Sequence, residues 1–404
     1  MFLFTFITFC VIILKAFFKE EKKRMSSEKW VAVFGNSPSI ADNRLERYSK
    51  NVSFRYFFKS TISGSKIRVH FSNFCGPEDV VIDKANIALA IDELRIDTNS
   101  LVPLTFGGQN SVTICSGEEI ISDEIDFDVK SDCNYFISYY LKDFTNMTNG
   151  VLIKGPLVHN YYAFGDYIDE EEFPYEKRMN TSYYHFINTV DVKTQDDANA
   201  LVIFGDSITA QGYPDYITLG LKENGIDNRS IIRRGVCGTR VLGQYNTVLY
   251  ASYGLCGETR FEPETQVDGC DKIVVLHGIN DLIHPDGKNP LRPMSNMPTC
   301  EQMVEGYRFY IKKAKKAGKK IYFATLLPIK DWRTYDEMRN GIRHEINEWI
   351  RTTDEIDGFI DLDKAIRDPN DIDRMLPIYD SGDHLHPSDE GTKRMAEEFL
   401  KFLK

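Results

Sequence analysis

At about residue 190 the spacing of apolar residues changes, and the two spacings call for different folds. In "SKIRVHFS" (65–72), Ile67, Val69 and Phe71 alternate with Lys66, Arg68, His70 and Ser72. A period of two belongs to a strand buried on one face. Short apolar runs follow at 80–82, 111–114, 124–129 and 135–141, set apart by Gly, Pro, Asn and Asp. No helical period interrupts them, so the spacing predicts a β-sandwich. Gly64-Ser65 predicts a hairpin turn ahead of the strand. From about Ala198, five runs alternate with helical patterns at 301–318, 334–352 and 388–403. The runs are "LVIFGD", "SIIRRGV", "KIVVLHGIN", "KIYFATLLPI" and "GFIDLD". Such alternation predicts a parallel sheet covered on both faces. A chain of 404 residues also exceeds one ordinary core. The expected organisation is a leader at 1–26 outside the fold, a β-sandwich domain at 27–190 and an α/β domain at 191–404.

The leader, "MFLFTFITFCVIIL" and the bases Lys15, Lys19, Lys22, Lys23 and Arg24, fits no standard signal. Its apolar run is shorter than the ~20 residues of a spanning helix, and it lacks the basic start of a signal peptide. Initiation at Met25 and a cytoplasmic protein are expected. Membrane contact through residues 1–18, or secretion, is the alternative. The net charge of -11 leaves no basic surface for a nucleic acid. A short basic run such as "KKAKKAGKK" (312–320) suits the end of a helix, where cations offset the dipole. Eight cysteines form no CxxC pair and no Cys/His cluster with zinc spacing. Free, mostly buried thiols are expected.

Ligands of open parallel sheets bind beyond the C-terminal ends of the strands. Ser207 follows the first strand, where its hydroxyl and the next backbone N–H groups can meet a substrate; alone, it reads as a helix N-cap. Gly235 and Gly238 follow the second strand and Asn280 the third; alone, these are turn residues. Before the last helix lies "YDSGDHLHPSDEG" (379–391). A histidine there can act as base to a serine, with an Asp fixing its tautomer. Asp383 and His386 are three apart, and Asp380 and His384 four apart. Either spacing brings the side chains to one face of a turn. Pro387 fixes the backbone after His386 and favours the first pair. There is no G-x-S-x-G elbow, and "HEINE" (344–348) lacks the second histidine of a zinc protease.

The blocks "GDSI" (205–208), "GVCG" (235–238), "GIND" (278–281) and "DHLHP" (383–387) resemble, in order, those of the SGNH (GDSL-type) hydrolases. With "NEWIRT", "AIRDP" and "YDSGDHLHP", the second half resembles a subgroup of acylhydrolases found among polysaccharide-degrading genes. "SGSKIRVHFSN" and "LTFGGQNSVTICSGEEIISD" resemble that subgroup's N-terminal β-domain. The resemblance implies a three-layer α/β/α, flavodoxin-like catalytic domain at 191–404 behind an all-β sandwich. It implies a serine esterase with Ser207, Asp383 and His386 as catalytic groups. The oxyanion donors would be the Ser207 and Gly238 N–H groups and the Asn280 side chain, with no metal or organic cofactor. Cys237 stands where the subgroup more often has Gly, and His277 where an acid is common; both are expected to alter pocket shape only.

The implied substrate is a short-chain ester, acetyl above all, on a small molecule or oligosaccharide. Rival readings are a broad acylhydrolase, lipase or arylesterase, an acyltransferase, and an inactive carbohydrate-binding protein; intact Ser207, Asn280 and His386 argue against the last. The nine aromatics of 161–186 are expected to fill the interface between domains, with stacking on a sugar as their second role.

Overall fold

The computed structural model of the protein describes residues 28–41, 47–195 and 197–404. The leader expected at 1–26 lies outside the described residues. Among the described residues, no helix is long and apolar enough to cross a membrane.

The first half is antiparallel. Its main strands are β1 (Lys29–Gly35), β2 (Val52–Ser60), β3 (Gly64–Ser72), β4 (Lys84–Leu89), β5 (Val102–Leu104) and β6 (Glu119–Ile121). They continue with β7 (Ile125–Val129), β8 (Cys133–Leu141), β9 (Tyr161–Phe164), β10 (Met179–Asn180) and β11 (Ile187–Thr194). One sheet runs β1-β11-β3-β7, with β6 also on β3; the other runs β10-β9-β2-β8-β4-β5. Ile67, Val69 and Phe71 of β3 are buried with Phe54, Tyr56 and Phe58 of β2 and Tyr135, Ile137 and Tyr139 of β8, which makes the sandwich core. Strand β11 carries this half to Thr194, past the expected boundary at 190.

Two expectations are corrected here. Gly64 does not form a hairpin turn: β2 and β3 lie in different sheets, and Gly64 pairs with Val129 at the start of β3. A Cβ on Gly64 would come 2.7 Å from the Lys193 carbonyl oxygen, so the glycine permits close strand approach. The aromatics of 161–186 mostly pack within the antiparallel half. Tyr161 and Phe173 cover the outer face of the second sheet with Phe57 and Phe136, and Tyr184 stacks on Tyr56 at 4.9 Å. Tyr184 also reaches the boundary with the second half, near Pro214 and Ile231.

The second half holds the parallel sheet. Its strands are β12 (Asn199–Gly205), β13 (Arg229–Gly235), β14 (Cys270–Leu276), β15 (Lys320–Ala324) and β16 (Phe359–Ile360), in the order β13-β12-β14-β15-β16. This is the flavodoxin-like order. The helices are α1 (Tyr213–Gly220), α2 (Gly257–Thr265), α3 (Ile279–Ile283), α4 (Cys300–Lys316), α5 (Glu337–Thr352), α6 (Leu362–Ile366) and α7 (Asp389–Leu403). Strand β12 shows why the run "LVIF" is apolar throughout. Val202 and Phe204 pack with Phe261 of α2, Tyr307 and Tyr310 of α4 and Ile346 of α5. Leu201 and Ile203 pack on the other face with Ile217 of α1, Leu362 of α6 and Phe399 of α7. The sheet is the middle of three layers. A capping box of Thr299 and Gln302 starts α4, and Lys313, Lys315 and Lys316 end it, where the basic run was expected.

The halves meet along β1 and β13. The Ala32 N–H donates to the Asp268 carbonyl at 2.9 Å. Arg234, at the end of β13, donates to Asn188 Oδ1 at 2.6 Å and Thr189 Oγ1 at 2.7 Å. Beside it, Arg260 of α2 holds both carboxylate oxygens of Glu264, at 2.8 and 2.9 Å. Its other N–H groups reach the carbonyls of Gly205 (3.2 Å) and Arg234 (3.0 Å), Thr239 Oγ1 (2.9 Å) and Ser37 Oγ (3.2 Å). Both members of the pair are buried. Seven cysteines among the described residues are free thiols; Cys115 is exposed and the other six are half-buried, less covered than expected.

Arg260→Met should strand the Glu264 carboxylate in the interior. Removing one partner of a buried pair costs about 3–5 kcal/mol. Urea unfolding of the variant should show a loss of that order, and a loss near zero would contradict the role assigned to the pair.

Candidate active site

Ser207 sits on the turn that leaves β12, two residues past Gly205. It is not a helix cap: α1 begins at Tyr213 behind Gly212. The Ala210 N–H closes the turn on the Asp206 carbonyl at 3.0 Å, which sets the Ser207 hydroxyl at the edge of the sheet.

The loop before α7 delivers the histidine. Its ends are tied by the Ser381 N–H to the His386 carbonyl at 3.0 Å and the Ser388 N–H to the Tyr379 carbonyl at 2.8 Å. Both Asp–His pairs allowed by spacing form. His384 Nδ1 lies 2.7 Å from Asp380 Oδ2, and His386 Nδ1 lies 2.6 Å from Asp383 Oδ2. Only His386 reaches the serine, with Nε2 at 2.9 Å from Ser207 Oγ. His384 instead holds a left-handed backbone (φ 65°) inside the loop. Since the carboxylate accepts, Nδ1 of His386 carries the hydrogen and Nε2 is left to accept from the serine hydroxyl. Burial pushes the Asp383 carboxyl up. The His386 N–H, the imidazole and the Leu385 N–H outweigh it and bring the group to about 2.

The other two strand ends supply donors. Gly238 has φ 78°, and a Cβ there would meet the Tyr253 ring at 2.5 Å, so the backbone follows a path a side chain would block. Asn280 lies in the first turn of α3 and donates one N–H to the Thr239 carbonyl at 3.0 Å, leaving the second. Among the described residues, the Ser207 and Gly238 backbone N–H groups have no acceptor.

Ser207, Gly238, Asn280, Asp383 and His386 line one cavity of about 750 Å³. Its wall includes Leu152, Lys154, Gly155 and Pro156 of the antiparallel half, and Tyr253, His284 and Trp332 of the parallel half. The Lys154 N–H to the Ala210 carbonyl (2.9 Å) and the Leu157 N–H to Asp215 Oδ2 (3.0 Å) fasten the first segment in place. Sequence reasoning missed these wall residues. His284 alone left a trace, one helical turn after Asn280.

A model of the GDSL-like lipase/acylhydrolase family matches residues 203–394, the stretch that carries all four blocks and both carboxyl–histidine pairs. Residues 203–394 are a GDSL-like lipase/acylhydrolase domain. The domain is that of an ester-hydrolysing enzyme. No curated protein matches the chain. Among solved structures, this chain is similar to the acetyl xylan esterase AlAXEase, at 22% identity over 51% of this chain and 100% of that one, with a TM-score of 0.37. It is also similar to Axe2, an acetylxylan esterase from Geobacillus stearothermophilus, at 19% identity over 51% and 94%, with a TM-score of 0.37. A GDSL-like lipase from Bacteroides thetaiotaomicron matches at 16% identity over 51% and 89%, with a TM-score of 0.36.

Beneath the candidate site in the GDSL-like domain lie groups that shape it. Asp281 accepts from the Val241 and Leu242 N–H groups at 2.7 and 3.0 Å, holding the glycine loop to α3. His277 sits under the same loop, 3.1 Å from Thr239 Oγ1 and 3.1 Å from the Tyr310 hydroxyl, and burial brings it down to about 3. Cys237 reaches the cavity wall, with its thiol pushed up by burial to about 11. Among the described residues, no cluster of three or more His, Cys, Asp or Glu is placed to hold a metal ion.

Asp206 is fully buried, and its carboxyl is raised by burial to about 7, against the pull of the Ile208 N–H and Arg260. An acid with a raised pKa binds its proton more tightly folded than unfolded. It therefore lowers stability as pH rises from the unfolded value, ~3.9, to about 7. Asp206→Asn keeps an acceptor for the Ile208 N–H and removes the titration. Urea unfolding across this range should show the wild type losing stability relative to the variant as pH rises, then levelling off. A difference independent of pH would contradict the burial effect.

Proposed function

We propose that the GDSL-like domain hydrolyses short-chain carboxylic esters, acetyl esters of carbohydrate above all, through an acyl-enzyme on Ser207. The observation that carries this reading is the unbroken chain Ser207 Oγ, His386 Nε2 (2.9 Å), His386 Nδ1, Asp383 Oδ2 (2.6 Å) on the wall of the cavity. His386 takes the serine proton as Oγ attacks the ester carbonyl, and Asp383 steadies the imidazolium that results. The carbonyl oxygen becomes an oxyanion, met by the Ser207 and Gly238 N–H groups and the second N–H of Asn280. His386 then gives its proton to the leaving alcohol. Water, activated by the same histidine, attacks the acyl-enzyme and frees the acid. An acetyl group fills little of a cavity of about 750 Å³. Most of that volume therefore houses the alcohol, and its wall mixes the aromatic faces of Tyr216, Tyr253 and Trp332 with polar Gln211 and Arg333. A sugar can pack on such aromatics and bond to such polar side chains.

An organophosphonate probe should label the wild type at Ser207 and leave Ser207→Ala unlabelled. In the same preparation series, His386→Ala should lose nearly all turnover of a short-chain aryl ester, while His384→Ala keeps a substantial fraction at matched stability. Labelling at another residue, or a dead His384→Ala beside an active His386→Ala, would overturn the assignment.

Asn280→Ala should lose turnover more than binding, because an oxyanion donor acts mainly in the transition state. Loss of one such donor typically costs ~2.7–4 kcal/mol of barrier. Steady-state kinetics showing an unchanged kcat would leave Asn280 as a residue that only braces Thr239.

A further inference from the structure

The cavity that holds Ser207 and His386 carries two cations without partners. Lys154 comes from the antiparallel half and Arg333 from the loop after β15, and both line the wall. Both are exposed. The Arg333 guanidinium packs over the Trp332 ring at 4.6 Å. Among the described residues, neither side chain has a hydrogen-bond acceptor or a carboxylate partner.

Acids are plentiful nearby, and they are engaged elsewhere. Asp331, two residues before Arg333, turns to Arg374 at 2.8 Å. Asp371 holds Lys330 at 2.7 Å, and Asp336 holds Arg339. Beside Lys154, a Cβ on Gly155 would stand 2.2 Å from Asp215 Oδ2, yet Asp215 is paired with Arg233. The wall itself has two carboxylates. Asp383 meets His386, and Asp389 accepts from the Tyr216 hydroxyl at 2.5 Å and pairs with Lys393 at 2.9 Å. The chain has 60 acids against 49 bases. A cavity whose unmatched charges are both positive runs against that composition.

Both charges are felt on the wall. The Lys154 N–H donates to the carbonyl of Ala210, three residues past Ser207, at 2.9 Å. Burial raises the Cys237 thiol beside Gly238, and Lys154 pulls against that rise. Burial lowers the His284 imidazole, and Arg240, Arg292 and Arg333 lower it further. Protein walls focus the field of charges in a cleft and draw in ligands of opposite sign. A neutral ester gains little from such a field, whereas a carboxylate gains from both cations. With an acetyl group as the acyl part, the carboxylate belongs to the alcohol. We propose that Lys154 and Arg333 select esters whose alcohol part is an anionic saccharide, a uronate acetylated on one of its hydroxyls. The inference rests on the esterase reading above and names the charge of the alcohol that the cavity takes.

The test uses the full chain and two matched sugars, methyl glucuronopyranoside and its uncharged C6 amide, each as its mono-O-acetyl isomers. 4-Nitrophenyl acetate and mono-4-nitrophenyl succinate serve as aryl esters. At low ionic strength the wild type should prefer the best uronate isomer to the matching amide by about tenfold in kcat/KM, mainly through KM, the size expected of two partly exposed ion pairs. Added salt should shrink the preference. Lys154→Gln and Arg333→Gln should each cut it by about threefold. The double variant Lys154→Glu, Arg333→Glu should favour the amide. A wild type that cleaves the aryl acetate but does not distinguish uronate from amide, or cleaves neither, overturns this inference and leaves the esterase standing. So does a preference that survives in the double variant, or a succinyl ester cleaved about tenfold better than the acetyl ester, which would place the anion on the acyl part. A wild type that cleaves none of these esters and takes no phosphonate label overturns the esterase reading and this inference with it.

Discussion

The edge of the sheet that carries Ser207, Gly238 and Asn280 is referenced to one buried guanidinium. Arg260 gathers the carbonyl at the end of β12, the carbonyl of Arg234 in β13, the hydroxyl of Thr239 and the carboxylate of Glu264. Ser207 is two residues from the first of these, and Gly238 is next to Thr239 in the chain. Asn280 is braced on the Thr239 carbonyl. The serine turn, the glycine loop and the asparagine helix therefore share one origin. Taking a charge out of water is costly, and such a site holds only if every donor is met. Here the five N–H groups of Arg260 face Glu264, Gly205, Thr239, Arg234 and Ser37. Ser37 lies in the antiparallel half, so the same cluster also joins the halves.

That junction gives the antiparallel half a part in the site. Its segment 152–156 forms cavity wall, and Asp215 of α1 holds the segment through the Leu157 N–H while also pairing with Arg233. The helix that follows the serine turn is thereby fixed to both halves. A change in how the halves pack would reshape the cavity without touching Ser207.

The fold was legible where burial has a simple period. Alternation in β3 marked a half-buried strand, and the unbroken apolar run of β12 marked a strand covered twice. Pairing was not legible, because it depends on partners far along the chain: Gly64 read as a turn, yet it opens a strand whose neighbour is Val129. The aromatics of 161–186 carry no period that says which sheet they cover. At the site, residue type and order pointed to Ser207, Gly238, Asn280 and the Asp–His loop. Spacing could not separate His384 from His386, since both pairs form. What separates them is the position of Ser207, which lies far away in sequence. Arg260, Tyr253 and Trp332 gave no signal for the same reason.

Three aspartates near this edge show how environment divides roles among identical side chains. Asp206 and Asp281 are fully buried, and desolvation lifts them to about 7 and about 6. Each accepts backbone N–H groups and fixes a loop. Asp383 is more open to solvent and accepts from two backbone N–H groups as well as the imidazole, which brings it to about 2. Of the three, it alone is firmly ionised at every pH where a histidine titrates. In the mechanism we propose, an imidazolium at His386 needs a fixed negative charge at its Nδ1, and a carboxyl that is partly neutral near pH 7 would serve poorly there. The chain places its hydrogen-bonded, ionised carboxylate against His386 and keeps the two reluctant ones as loop anchors below.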